Sequence, residues 1–98
     1  MKTRDFNYLP AVHLGRRKQG LIYYLSHNYH QLPPKKRKII DEHIARVGGA
    51  HPDALKRYMT TDDPITAICA ECYIGSPNTV YSMQRDYYER FPLERILR

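Results

Sequence analysis

Two pairs of side chains in this chain have the spacing of metal ligands. Cys69-x-x-Cys72 and His27-x-x-His30 each leave a two-residue gap, and together they contain the four donors of a tetrahedral zinc site. Both pairs, however, fall inside segments of helical pattern, whereas a zinc knuckle usually holds its first cysteine pair on a turn. The cysteines also lie on an apolar stripe, where a free thiol packs as a small hydrophobe. They are therefore expected to be reduced, largely buried and metal-free. No strand–helix–strand pattern surrounds them to suggest a redox pair. Asp62 and Asp63 stand before a proline and read as cap residues rather than as an acid–base pair. No glycine-rich phosphate loop and no Ser-His-Asp arrangement is present. The nine tyrosines mostly fall on helical stripes, as amphipathic edges of a core, and no set of basic groups singles one out for catalysis. The expectation is a protein with no enzymatic activity and no cofactor.

The charged and polar residues point instead to binding. Lys and Arg total 16 against 10 Asp and Glu, a balance that favours polyanions or acidic protein surfaces. Lys35-Lys36-Arg37-Lys38 opens a helix, where the dipole prefers acids; phosphates, an acidic protein or plain solvent would each accommodate it. Arg16, Arg17 and Lys18 form a second basic cluster. Near the C-terminus, a helix beginning at Ser76-Pro77 turns Val80, Gln84, Tyr87 and Phe91 to one side. Asn78, Ser82, Arg85 and Glu89 are turned to the other, with Tyr81 on the flank. Asn reads adenine and Arg reads guanine by paired hydrogen bonds. Asn78, Tyr81, Ser82 and Arg85 are thus the candidate base-reading residues. Ser76 and Thr79 at the helix start, with Lys35, Lys36, Arg37, Lys38, Arg16, Arg17 and Lys18, are the candidate phosphate contacts.

These residues need a frame to hold them. Ninety-eight residues support one domain with a modest core. Residues 1–17 lack clean periodicity and read as a basic, loosely ordered arm; residues 18–98 read as a single helical domain. A first helix is expected over about 18–31, with Leu21, Tyr24, Leu25 and Leu32 as its apolar stripe and Pro33-Pro34 as its stop. A second follows, with Ile40, His43, Ile44 and Val47 inward, Glu42 placed to pair with Arg46, and Gly48-Gly49 as its end. A short third helix opens at Pro52-Asp53 and carries Leu55, Tyr58 and Met59. Asp63 is expected to cap a fourth, with Pro64 at its first position and Ile65, Ile68, Cys69 and Cys72 along its inner face. That helix stops at Tyr73-Ile74-Gly75, with Ile74 expected as the apolar plug of the turn and Gly75 as its tight bend. Ser76 caps the fifth, Pro92 ends it, and Leu93 to Arg98 can add a last turn. The fold expected is all-α, a small bundle of about five helices.

The segment from Ile68 to Tyr81 resembles the core of helix-turn-helix regulators of the sigma region 4-like kind. Those often carry an isoleucine-serine-x-x-threonine-hydrophobic-tyrosine pattern, which Ile74, Thr79, Val80 and Tyr81 match. Gly48-Gly49, Leu55 and Thr60-Thr61-Asp62 are also similar to small regulators carried by phages and integrative elements of Gram-positive bacteria. The resemblance spans roughly residues 36 to 91, with the helix-turn-helix at about 64–91. One departure stands out: four residues separate Ile74 from Thr79 here, one more than the pattern has. The resemblance implies a sequence-specific regulator of double-stranded DNA. One such module buries little surface, so a homodimer or a second protein such as RNA polymerase is expected to supply the rest. The rival expectation is a phage-borne inhibitor whose basic helical face engages a host nucleoprotein, for example a CRISPR effector or a polymerase. The N-terminus has no apolar signal region, and no stretch is long and apolar enough to span a bilayer. With two close cysteines rather than a disulfide framework, the expected setting is the cytoplasm.

Overall fold

The computed structural model describes residues 6–98; residues 1–5 of the expected arm lie outside the described residues. Six α-helices follow in order: α1 Arg16–His27, α2 Pro34–Val47, α3 Pro52–Thr60, α4 Ile65–Glu71, α5 Pro77–Glu89 and α6 Leu93–Ile96, with a 3-10 turn at Tyr29–Gln31 between the first two. No strand occurs among the described residues. The short α3 sits in the middle and packs against α1, α2, α4 and α5. Its Ala54, Leu55, Met59 and Thr60 are all buried, and Thr60 satisfies its hydroxyl on the Lys56 carbonyl at 2.6 Å. The Cα radius of gyration of 12.8 Å is that of one folded unit of this length.

The first helix turns a different face inward from the one its apolar stripe predicts. Gln19, Ile22, Tyr23 and Ser26 are buried, whereas Leu21 is 38% and Tyr24 60% exposed. The two buried polar residues are satisfied by distant partners, which removes the penalty that would otherwise keep them out. The Gln19 amide donates to the carbonyls of Leu9 and Leu14 and accepts from the Leu9 N–H. Ser26 Oγ donates to the Ile22 carbonyl at 2.8 Å and lies 2.6 Å from the Tyr87 hydroxyl. The Gln19 bonds fold residues 9–14 back over the core, and Val12 is only 3% exposed. The described part of the stretch ahead of α1 is thus tied to the core through Gln19 and Val12, and the helix begins at Arg16 rather than Lys18.

Three other local expectations change. Glu42 pairs with Arg95 of α6 at 3.3 Å instead of with Arg46, and Asp41 takes the Tyr29 hydroxyl and Lys56. Asp63 is drawn to Arg57 at 3.0 Å, so α4 starts with Pro64 in the cap position and no side-chain cap. The bend after α4 is made by Tyr73, with φ 57°, and not by Gly75. The Ile74 N–H reaches back to the Cys69 carbonyl at 2.8 Å, the six-to-one bond that closes a helix with a left-handed residue after its cap. Ile74 itself is buried.

Tyr73 is 94% exposed, so its ring returns nothing to the fold for the strained backbone. A left-handed non-glycine residue costs about 1–2 kcal/mol, while glycine would add roughly 0.5–1 kcal/mol of chain freedom to the unfolded state. Tyr73→Gly is therefore expected to raise stability by about 0.5–1 kcal/mol, read as a higher denaturant midpoint with an unchanged slope. A lower midpoint would show that the ring makes a stabilising contact.

Candidate nucleic-acid interface

The residues of α5 sort by burial much as its periodicity predicts. Ser76 Oγ accepts the Asn78 N–H at 3.2 Å, with Pro77 at the first helical position. Val80, Met83, Tyr87 and Tyr88 are buried, and Gln84 is only half-buried. Asn78, Thr79, Ser82, Arg85, Asp86 and Glu89 are exposed, and Tyr81 is half-buried with its ring centroid 6.1 Å from that of Tyr58.

Two separate open depressions flank this exposed face. Gly48, Gly49, Ala50 and His51 border Asn78, Thr79, Ser82 and Asp86 on one side. Asn7, Leu9, Pro10 and Ala11 border Tyr81, Gln84 and Arg85 on the other. Neither border is recognisable as part of the site from the sequence. The glycine pair reads only as a helix stop, and residues 7–11 have no pattern of their own. The N-terminal half of the exposed face is polar and uncharged up to Arg85. The C-terminal half carries Asp86 and Glu89, with Glu89 accepting the His13 N–H at 2.8 Å. A phosphate or base edge is better received at the Ser76 end, where the helix dipole is positive.

The candidate basic residues are not gathered around this face. Glu42 reaches Arg95, the His43 ring packs on Tyr87 and Phe91, and Gly48 borders Thr79 and Met83, so α2 runs antiparallel to α5. Lys35–Lys38 open α2, about 18 Å of helix away from Gly48 at roughly 1.5 Å per residue. They lie toward the far end of the bundle from Asn78, and their side chains have no hydrogen-bond or ion-pair partner among the described residues. Arg16, Arg17 and Lys18 form the first turn of α1, and the Arg16 guanidinium lies over the Tyr8 ring at 5.2 Å. Two cations that the pattern did not single out, Arg46 of α2 and Arg90 at the C-terminal cap of α5, lie beside the seam between these two helices. Both act electrostatically on His43.

His43 itself is 1% exposed. Its Nε2 lies 2.8 Å from the Tyr87 carbonyl, one of the last carbonyls of α5 and in need of a donor. That contact puts the proton of the neutral ring on Nε2. Nδ1 is buried without a hydrogen-bond partner among the described residues. Burial, with Arg46 and Arg90 adding repulsion, holds its pKa below the usual 6.5, although the Tyr87 bond opposes the shift. The folded state therefore favours the neutral ring. Stability should be fully present above about pH 6.5 and fall as the pH drops below it, until the folded-state pKa is reached. Denaturant midpoints measured from pH 7.5 to 5 should decline, and His43→Gln should flatten that part of the profile. An equal decline in the variant would assign the titration to another group.

Cys69 is buried in the core, and Cys72 packs partly buried against it. His27 lies 3.5 Å from Asp62, and His30 is exposed. The two pairs do not converge: among the described residues no three His, Cys, Asp or Glu side chains are grouped to hold a metal. A polar cavity of about 40 Å³ lies among Tyr23, His27, Tyr58, Gln84 and Tyr88, room for little more than a water molecule. Among the described residues no helix is long and apolar enough to cross a membrane. No protein-family model, curated protein or solved structure matches the chain.

Proposed function

We propose that the protein is a sequence-specific DNA-binding regulator of a phage or mobile element, acting in the cytoplasm by binding rather than by catalysis. In this reading α4, the turn through Tyr73 and Ile74, and α5 work as a helix-turn-helix. The observation that carries it is the division of α5. Its inner face is locked by Val80, Met83, Tyr87 and Tyr88, while Asn78, Ser82 and Arg85 are exposed on the opposite side, from the capped end onward. Base contacts usually come from that end of a recognition helix. The turn from Cys72 to Ser76, one residue longer than the resembling pattern, still closes on the buried Ile74. Lys35–Lys38, toward the far end of α2, reach a stretch of backbone distant from the bases that Asn78 reads.

The test is selection of a site from a random duplex library, followed by variants. Asn78→Ala and Arg85→Ala should each weaken the selected site by about 1–3 kcal/mol, with little effect on random duplex. Both residues are exposed, so melting should not change.

A second reading is an inhibitor of a host nucleoprotein. One observation favours it: the Lys35–Lys38 run has no partner among the described residues and is separate from the exposed face of α5. If the run binds DNA, neutralising these four residues should reduce the salt slope of duplex binding by about 0.9 for each phosphate they had neutralised. An unchanged slope, with no site selected, would replace the regulator by the inhibitor.

A further inference from the structure

The buried face of α1 has a flank that is only partly covered. At about 100° per residue, Lys18, Leu21, Ile22 and Leu25 share one face. Leu21 is 38% exposed, and Leu25 is half-buried. Lys18 and Ile22 form one side of an open groove whose other side is α6. Leu14, Phe91 and Leu93 line its apolar floor, and Leu97, 52% exposed, stands at its edge.

We propose that this α1–α6 groove is a self-association surface, occupied by the same groove of a second copy of the chain. The signs of the rim charges select that occupant. Arg95 is engaged by Glu42 and Glu89 by His13. Lys18, Glu94 and Arg98 also line the groove, and their side chains have no partner among the described residues. A polyanion or an acidic peptide would call for one sign, and an anionic membrane surface for an excess of cations. Both signs around an apolar centre match a two-fold interface, in which each residue meets its complement twice. Lys18 then faces Glu94 of the partner subunit, and Leu97 enters the opposite groove. Because the groove adjoins Phe91 and Pro92, beyond the C-terminal end of α5, association leaves Asn78 and Ser82 uncovered. The inference does not depend on DNA binding and is measured without DNA.

Sedimentation equilibrium over a dilution series of the whole chain tests it. At high concentration the mass should approach twice the 11.6 kDa of one chain. K18E and E94K, each alone, should move the monomer–dimer midpoint to at least about tenfold higher concentration through like-charge repulsion. An equimolar mixture of the two should restore association, since each then meets an opposite charge. L97E should give the monomer mass with an unchanged helical circular dichroism spectrum. A wild-type chain that stays monomeric up to millimolar concentration would overturn the proposal. So would a dimer that L97E leaves intact, or a mixture of K18E and E94K no more associated than either variant alone.

Discussion

Tyr87→Ala is expected to lower stability by about 3–5 kcal/mol, the range for emptying a large aromatic site in a core. The side chain is fully buried and meets three elements at once. Its ring centroid lies 4.9 Å from that of His43 on α2 and 5.3 Å from that of Phe91, while its hydroxyl lies 2.6 Å from Ser26 Oγ on α1. Truncation removes the apolar packing and leaves a cavity where α1, α2 and α5 converge. A domain of this size holds together by only about 5–15 kcal/mol in total, so the variant should be marginal at physiological temperature. Tyr87→Phe isolates the hydroxyl. Ser26 keeps its bond to the Ile22 carbonyl, and the loss should be near 1 kcal/mol. Urea denaturation of the three proteins checks both numbers. An alanine variant within 1 kcal/mol of the parent, a bound far under the expected range, would mean that the three helices do not meet on this ring.

Gly48→Ala is expected to cost about 1–3 kcal/mol, the usual penalty for forcing extra volume into a packed site. A Cβ there would lie 2.7 Å from the Ile44 carbonyl oxygen and 2.7 Å from Pro52 Cα. Both are backbone atoms, so relief requires moving the corner between α2 and α3. That corner borders the depression beside Asn78, Thr79 and Ser82. The substitution should therefore shift the amide resonances of Asn78, Thr79 and Ser82 and weaken any ligand held there. Gly49→Ala is the control. Nothing lies within 4 Å of a Cβ at Gly49, and only its φ of +54° resists the substitution. It should cost about 1 kcal/mol and leave the α5 resonances in place. Similar spectra for the two variants would show that the corner and the exposed face of α5 are independent.

These expectations rest on features of very different legibility in the sequence. The outward residues of α5 were readable because every signal involved is local. Ser76 and Pro77 set the start, Val80 and Tyr87 set the inner face, and helix geometry then assigns Asn78, Ser82 and Arg85 to the opposite side. The inward face of α2, through Ile40, His43 and Ile44, follows from the same rule. In α1 that rule fails, because burial there depends on groups far away in the chain. Gln19 is held by Leu9 and Leu14, and Ser26 by Tyr87. Their polarity argued for the surface, while the apolar period of Leu21, Tyr24 and Leu25 argued for the core, which only Leu25 reaches.

By itself the sequence determined that the described chain is helical, where prolines and glycines interrupt it, and which side of α5 is offered outward. Those properties depend on neighbours within about one turn of helix. Only the tertiary structure decided which cations stand near α5, that Gly48–His51 and residues 7–11 border its exposed face, and that Asp63 serves Arg57 instead of capping α4. It also put the left-handed bend at Tyr73 rather than at Gly75. Each of these outcomes is a competition between a local preference and a partner brought close by packing. The partner prevails wherever it satisfies a buried polar group, or wherever the chain must turn at one fixed place to let two helices meet.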